Sequence, residues 1–124
     1  TMDIIIRNSG GVPIYDQITR QMKGLILRGE LKEGEALPSM RLLAKELRIS
    51  VITTKRAYEE LEREGYITSV PGKGSFAAEI NRELLREEQY KRLEEHLNEA
   101  VDAARTAGIS LGEMKELLET LYEG

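Results

Sequence analysis

The chain has 124 residues, 40% hydrophobic and 32% charged, which is enough for one modest domain with a short appendage. It contains no cysteine, which excludes disulfide bonds and thiolate metal sites, and it lacks both a long apolar run and a signal-peptide pattern. We therefore expect a cytoplasmic protein without a membrane segment. The formal net charge of −4 is unevenly distributed: residues 1–78 carry twelve Lys or Arg against ten Asp or Glu, whereas residues 79–124 carry six against twelve.

The first predicted elements are a short strand and a helix. Residues 3–6 (Asp-Ile-Ile-Ile) favour a strand, which the following Asn-Ser-Gly-Gly segment ends. Pro13 suits the first turn of a helix, and Gly29 suits its C-terminal cap. Between them, apolar residues recur at three- and four-residue steps and predict a buried helix face: Ile14, Ile18, Met22, Leu25 and Ile26.

A second, short helix is predicted to begin after Ser39, which follows Pro38 and can cap the helix with its hydroxyl group. Its buried side is predicted to contain Leu42, Leu43 and Leu47. Residues 47–50 (Leu-Arg-Ile-Ser) then form a tight turn.

A third helix is predicted from the cap Ser50 to about Glu64. Helical spacing places four residues on its inward face: Thr54, Ala57, Tyr58 and Leu61. The outward face near the N-terminal end then carries Val51, Ile52, Lys55 and Arg56.

Two strands are predicted after Gly65, at residues 66–70 and 75–78, with a flexible Pro-Gly-Lys-Gly turn between them. Helices followed by such a hairpin have the order of a winged helix-turn-helix. We therefore predict a mainly α fold with a small β-wing, whose winged helix-turn-helix DNA-binding domain occupies residues 1–78.

The C-terminal segment, residues 79–124, is predicted to be a pair of helices. One runs from Asn81 to about Ala107, Gly108 breaks it, and Ser110 with Glu113 forms a capping box for the next. The two helices carry apolar stripes at Leu93, Leu97, Val101, Leu111, Met114, Leu118 and Leu121. So short a helical hairpin cannot bury a core of its own, and we predict that the stripes form a dimerisation surface.

Basic residues concentrate around the second and third helices. Residues 37–56 contain five of them, Arg41, Lys45, Arg48, Lys55 and Arg56, against the single acid Glu46, and Lys73 lies at the hairpin tip. Scattered Lys and Arg usually mean only a solvated helix face, but here several elements must converge on one side. Because physiological salt confines electrostatic fields to roughly 8 Å, this local excess outweighs the net charge and favours contact with nucleic acid.

Several spaced motifs resemble GntR-family transcription regulators, and within them the YtrA-like subfamily, over about residues 12–78. They are Pro13-Ile14-Tyr15, Leu37-Pro38-Ser39, Thr53-Thr54-Lys55-Arg56-Ala57-Tyr58, Glu64-Gly65-Tyr66 and Gly72-Lys73-Gly74. The resemblance implies that a homodimer binds double-stranded operator DNA. The matching DNA-contact positions are Arg41, Ser50, Val51, Ile52, Thr53, Lys55 and Gly72, to which the basic cluster adds Lys45, Arg56 and Lys73.

One position departs from the family pattern, since many members have Arg directly after the capping serine and this chain has Val51. An apolar side chain cannot bond a guanine edge but can contact a thymine methyl group. The operator preference of other members therefore should not be carried over to this chain unexamined.

Other classes of function have little support in the sequence. No nucleophile–base pair, phosphate loop or metal-ligand spacing occurs, and His96 lies on a charged helix, so we expect no catalytic residue, metal or cofactor. We predict a sequence-specific transcription regulator, a repressor, that binds a two-fold operator as a homodimer. The alternatives are a winged-helix module for protein–protein contact and a regulator that senses a ligand through its C-terminal helices; no sequence feature identifies an effector.

Overall fold

The computed structural model describes residues 3–8 and 10–124, and it divides into two units, the first ending at Arg82 and the second beginning at Glu83. In this part of the chain the elements are, in order, α1 (Ile14–Leu27), α2 (Met40–Leu47), α3 (Val51–Arg63), β1 (Ile67–Val70), β2 (Gly74–Ala77), α4 (Arg82–Ala107) and α5 (Leu111–Glu123). Five helices and one two-stranded sheet confirm the predicted mainly α fold with a β-wing.

The core of the first unit lies where α1 and α2 pack on α3. Its buried side chains are Ile18, Met22 and Ile26 from α1, Leu43 and Ala44 from α2, and Ala57, Tyr58 and Leu61 from α3. The inward face predicted for α3 is thus confirmed. That predicted for α1 is confirmed in part, since Ile14 and Leu25 are only half-buried. The prediction for Leu42 is wrong, because this side chain is 46% exposed. A helix turns by about 100° per residue, so Leu42 falls beside the face that Leu43 presents to the core.

The strand predicted at residues 3–6 is not formed. The side-chain amides of two α1 glutamines instead bind the backbone of this segment: Gln21 accepts from the Ile5 N–H at 2.9 Å and donates to its carbonyl at 2.7 Å. Gln17 does the same for Arg7, at 2.8 and 2.7 Å. Side chains of a helix, and not a neighbouring strand, supply these hydrogen bonds, so no sheet results.

The predicted N-terminal caps of α2 and α3 are confirmed, whereas the C-cap of α1 is Arg28, one residue before the predicted Gly29. The Ser39 hydroxyl accepts from the Leu42 N–H, and the Ser50 hydroxyl accepts from the Thr53 N–H at 3.2 Å. Between α2 and α3 the chain reverses through Arg48, whose φ of 57° lies in the left-handed region. Such a conformation is uncommon for a residue with a Cβ atom, so this turn carries strain.

The wing is an antiparallel hairpin in which Ile67 pairs with Ala77 and Val70 with Gly74. β1 begins one residue later than predicted and ends as predicted, since the Tyr66 N–H closes the end of α3 by donating to Leu61. β2 begins and ends one residue earlier than predicted. The segment at residues 34–37, which the sequence did not predict to be extended, runs along the outer edge of β2, where the Leu37 N–H donates to the Ser75 carbonyl at 2.9 Å.

In the second unit, Gly108 has a φ of 71° and separates the two helices, and the capping box of Ser110 and Glu113 is present. Ala104 is the one buried residue among those described from Glu83 onward, and nearly all the others are exposed. None of the described helices combines the length and hydropathy that crossing a lipid bilayer would require.

Candidate nucleic-acid interface

The start of α2, the start of α3 and the wing surround a shallow cleft in the first unit. Arg41 from α2, Val51 from α3 and Lys73 from the wing all line it, together with the capping residue Ser39. Three of the predicted DNA-contact residues, which are separated by up to 32 positions in the sequence, are therefore neighbours in space. The arrangement presents two cations beside an exposed apolar side chain.

Hydrogen bonds from α3 to the N-terminal end of α2 hold the two helices together at the cleft. The Tyr58 hydroxyl of α3 donates to the Pro38 carbonyl at 2.6 Å, and the Thr54 hydroxyl donates to the Met40 carbonyl at 3.1 Å. Burial raises the pKa of Tyr58 well above its usual range, because the phenolate would lose its hydration there. Tyr58 therefore remains a hydrogen-bond donor at neutral pH.

The exposed end of α3 carries apolar side chains first and a cation one turn later. Val51 is exposed, and Ile52 is 80% exposed although it is large and β-branched. Lys55 lies four residues after Val51 and so shares its face of the helix. On α2, Lys45 follows Arg41 with the same spacing, and both are exposed. The two helices thus extend the cationic surface beyond the cleft.

The two hydroxyl candidates at the start of α3 contact each other. The Oγ atom of Ser50 and the Oγ1 atom of Thr53 are 2.9 Å apart, and Ser50 also accepts from the Thr53 N–H. The Ser50 side chain therefore caps the helix, while Thr53 is half-buried. A hydroxyl group can make more than one hydrogen bond, so this pairing leaves capacity for a phosphate oxygen.

Arg56 does not line the cleft but lies over the ring of Tyr15, with the guanidinium carbon 3.8 Å from the ring centroid. Stacking holds a guanidinium plane while its in-plane N–H groups can still donate. The sequence analysis missed Tyr15 as the residue that orients Arg56, and no local pattern links two positions on different helices.

The wing tip is a tight turn in which the Lys73 N–H donates to the Val70 carbonyl at 2.9 Å. Pro71 precedes Gly72, whose φ of 77° suits the third position of a type II turn, where glycine is favoured. Gly72 and Lys73 are both exposed. The turn accounts for the glycine and leaves the lysine projecting beside the cleft.

The predicted dimerisation residues lie in the second unit, and most of them are exposed. Leu93, Leu97 and Leu118 line an apolar groove between α4 and α5, while Leu111 and Leu121 lie elsewhere on α5. Val101 and Met114 are half-buried. His96 is exposed, and the described residues contain no cluster of His, Asp or Glu suited to a metal ion.

Known proteins match both parts of this chain. The model of bacterial regulatory proteins of the gntR family matches residues 14–77. The HTH-type transcriptional repressor YtrA of Bacillus subtilis is 38% identical over 109 residues, covering 88% of this chain and 84% of YtrA. A solved GntR family transcriptional regulator from Listeria monocytogenes has a TM-score of 0.70 at 30% identity and covers 93% of this chain and 98% of its own. YtrA from Sulfolobus acidocaldarius, a GntR-family transcription factor, is 40% identical with a TM-score of 0.58, over 73% of this chain and 96% of its own.

The residues matched by the family model include all ten predicted DNA-contact positions. The Listeria structure covers 93% of this chain, so the structural similarity includes the C-terminal helices. The relatives are transcription regulators, and so this protein is a transcription regulator and not an enzyme. Because the family model covers more than half of its residues, the chain belongs to the GntR family of bacterial regulatory proteins.

Proposed function

We propose that the protein is a cytoplasmic repressor that binds a two-fold operator as a homodimer through the cleft of the first unit. The observation that carries this proposal is the convergence of Arg41, Val51 and Lys73 from three separate elements. DNA attracts such a surface through its phosphates, and the exposed end of a helix can read base edges. A module used only for protein contact has no need for this combination of cations.

The start of α3 is the segment that would enter the major groove. Val51 and Ile52 offer no hydrogen bond to a base, but their methyl groups can contact the C5-methyl group of thymine. Lys55, one turn further along, can reach either a guanine edge or a phosphate. We therefore expect an operator half-site with at least one thymine opposite the helix start. Arg41 and Lys73 would fix the register by binding phosphates on the two sides of the groove.

The second unit would supply the dimer contacts. Fully burying a leucine side chain contributes roughly 1.5–3 kcal/mol, so the exposed groove leucines Leu93, Leu97 and Leu118 together offer several kcal/mol to a partner surface. A second copy of the same stripe provides that partner through two-fold symmetry. Such a dimer would present two α3 helices to half-sites about one DNA turn, ~34 Å, or a small multiple of it apart.

Selection of bound sequences from a random DNA pool tests the binding mode. We expect the intact protein to enrich an inverted repeat, which fluorescence anisotropy then confirms with a labelled duplex. Lys55→Ala should weaken binding roughly 5- to 150-fold and relax the preference at one base position, if Lys55 reads a base edge. A module that binds only proteins would enrich no sequence at all.

Arg63→Ala is the matched control, because it removes the same charge from the last turn of α3, where Arg63 pairs with Glu60. We expect its affinity to stay within about twofold of the unchanged protein, since it lies away from the groove. Equal losses in Lys55→Ala and Arg63→Ala would contradict the placement of α3. In vitro transcription with purified components, from a promoter that overlaps the selected site, tests repression. An increase in transcript on adding the protein would contradict its role as a repressor.

A further inference from the structure

The N-terminal segment that α1 holds, residues 3–7, has the geometry of a strand. Gln17 and Gln21 are one helical turn apart, which spans ~6 Å along the axis. Their partners Ile5 and Arg7 are two residues apart, which spans ~6.8 Å in an extended chain. The close match of these spacings, with both backbone groups of each residue engaged, indicates an extended segment antiparallel to α1.

An extended chain points the backbone groups of alternate residues to opposite sides. Because Ile5 and Arg7 direct theirs at α1, the N–H and C=O groups of Ile4 and Ile6 point the other way, and we call these groups the arm edge. Among the described residues, none donates to or accepts from the arm edge. It therefore has the properties of an unpaired strand edge.

The side chains of the segment also alternate. Ile4 is 8% exposed and Ile6 is half-buried, so these two face the core of the first unit. Asp3, Ile5 and Arg7 are exposed, and Ile5 is 63% exposed although it is a large apolar residue. The outer face thus carries an isoleucine between an acid and a base, each two residues away.

We propose that the arm edge pairs with the arm edge of a second copy of this chain, antiparallel and with Ile5 opposite Ile5. In this register Ile4 of one copy lies opposite Ile6 of the other. The arm-edge N–H groups of each copy then donate hydrogen bonds to the arm-edge carbonyls of the other. Asp3 then lies opposite Arg7 at both ends of the pair, and the two exposed isoleucines cover each other.

The sequence of the segment argues for a second copy as the occupant. A charge pattern with the acid at one end and the base at the other is self-complementary only in an antiparallel pair centred on Ile5. If the register shifted by one residue, the N–H and C=O groups of Ile4 and Ile6 would no longer face those of the other copy. If it shifted by two, the charges of Asp3 and Arg7 would lose their partners. The arm edge therefore specifies both its partner and its register.

Disulfide trapping in the intact chain tests the register, because the protein has no cysteine of its own. Ile5→Cys would place two thiols opposite each other at a non-hydrogen-bonded pair, where the Cα atoms are ~4.5 Å apart and within disulfide range. We expect oxidised glutathione to convert this variant into a covalent dimer at least tenfold faster than the control Arg7→Cys. In the control the thiols would be ~13 Å apart along the strands.

A mixture of Asp3→Cys and Arg7→Cys proteins supplies the second measurement. These thiols lie opposite each other in the proposed pair, so the mixed dimer should form faster than either variant cross-links with itself. Equal rates for Ile5→Cys and Arg7→Cys, or no preference for the mixed product, would overturn the pairing. Operator affinity of the reduced Ile5→Cys variant is measured in parallel, so failure of the pairing is distinguishable from failure of DNA binding.

Discussion

The Tyr58 hydroxyl ties the residues just before α2 to α3. The substitution Tyr58→Phe removes this hydroxyl while keeping the ring. The side chain is 2% exposed, and its hydroxyl donates to the Pro38 carbonyl at 2.6 Å. The hydrogen bond contributes on the order of 1 kcal/mol, and the unpaired carbonyl left behind adds to the loss. Pro38 is half-buried, so water partly compensates. We expect the free energy of unfolding, measured in urea at pH 7, to fall by about 1–2 kcal/mol.

The control is Tyr90→Phe, since Tyr90 is 60% exposed and its hydroxyl should contribute almost nothing. The pH dependence adds a second criterion. Burial raises the pKa of Tyr58 above its ordinary value of about 10, so the folded state holds the phenolic proton more tightly than the unfolded state. This contribution is fully present below pH 10 and is lost as the pH rises further. The difference between Tyr58→Phe and the unchanged protein should therefore narrow above pH 10. A stability for Tyr58→Phe equal to that of Tyr90→Phe, or a difference that widens with pH, would refute the reasoning.

Three further outcomes are expected. Operator affinity should fall on the order of 10³- to 10⁵-fold between 50 and 200 mM salt if the two subunits neutralise about 6–10 phosphates. An affinity that does not change with salt would exclude DNA binding through the cationic surface. Truncation after Arg82 should give a folded head that self-associates more weakly than the intact chain in sedimentation and has little operator selectivity; a monomeric intact chain would contradict the role of the C-terminal helices. Arg48→Gly should be more stable than Arg48→Ala by about 1 kcal/mol in urea, since glycine relieves the left-handed conformation, and equal stabilities would mean that the turn is unstrained.

The parts of the fold that depend on local chemistry were predictable from the sequence. Ser39, Ser50 and Ser110 each cap the helix that the sequence assigned to them, because a cap involves only residues within one turn. The inward face of α3 followed from helical spacing in the same way. Gly72 at the wing tip was predictable as a turn residue, since few other residues adopt its conformation.

Features that depend on distant partners were not predictable. Residues 3–6 read as a strand because composition reports a preference for extended backbone, and it does not report whether a strand or a helix supplies the hydrogen bonds. Residues 34–37 carry no β-prone pattern, yet β2 pairs with them. The stacking of Arg56 on Tyr15 joins positions on different helices. In the candidate site, three of the ten predicted residues line the cleft, and the sequence did not show which three.

The side-chain groups that hydrogen-bond the N-terminal segment to α1 are the uncharged amides of Gln17 and Gln21. Neither group titrates between acidic and alkaline pH, and ionic strength barely affects a bond between neutral dipoles. The proposed DNA surface relies on Arg41 and Lys73, whose attraction for phosphate declines steeply with salt. A rise in ionic strength should thus release the protein from DNA while its N-terminal segment stays attached. The first unit would therefore release DNA at high ionic strength without losing the hydrogen bonds that hold its N-terminal segment.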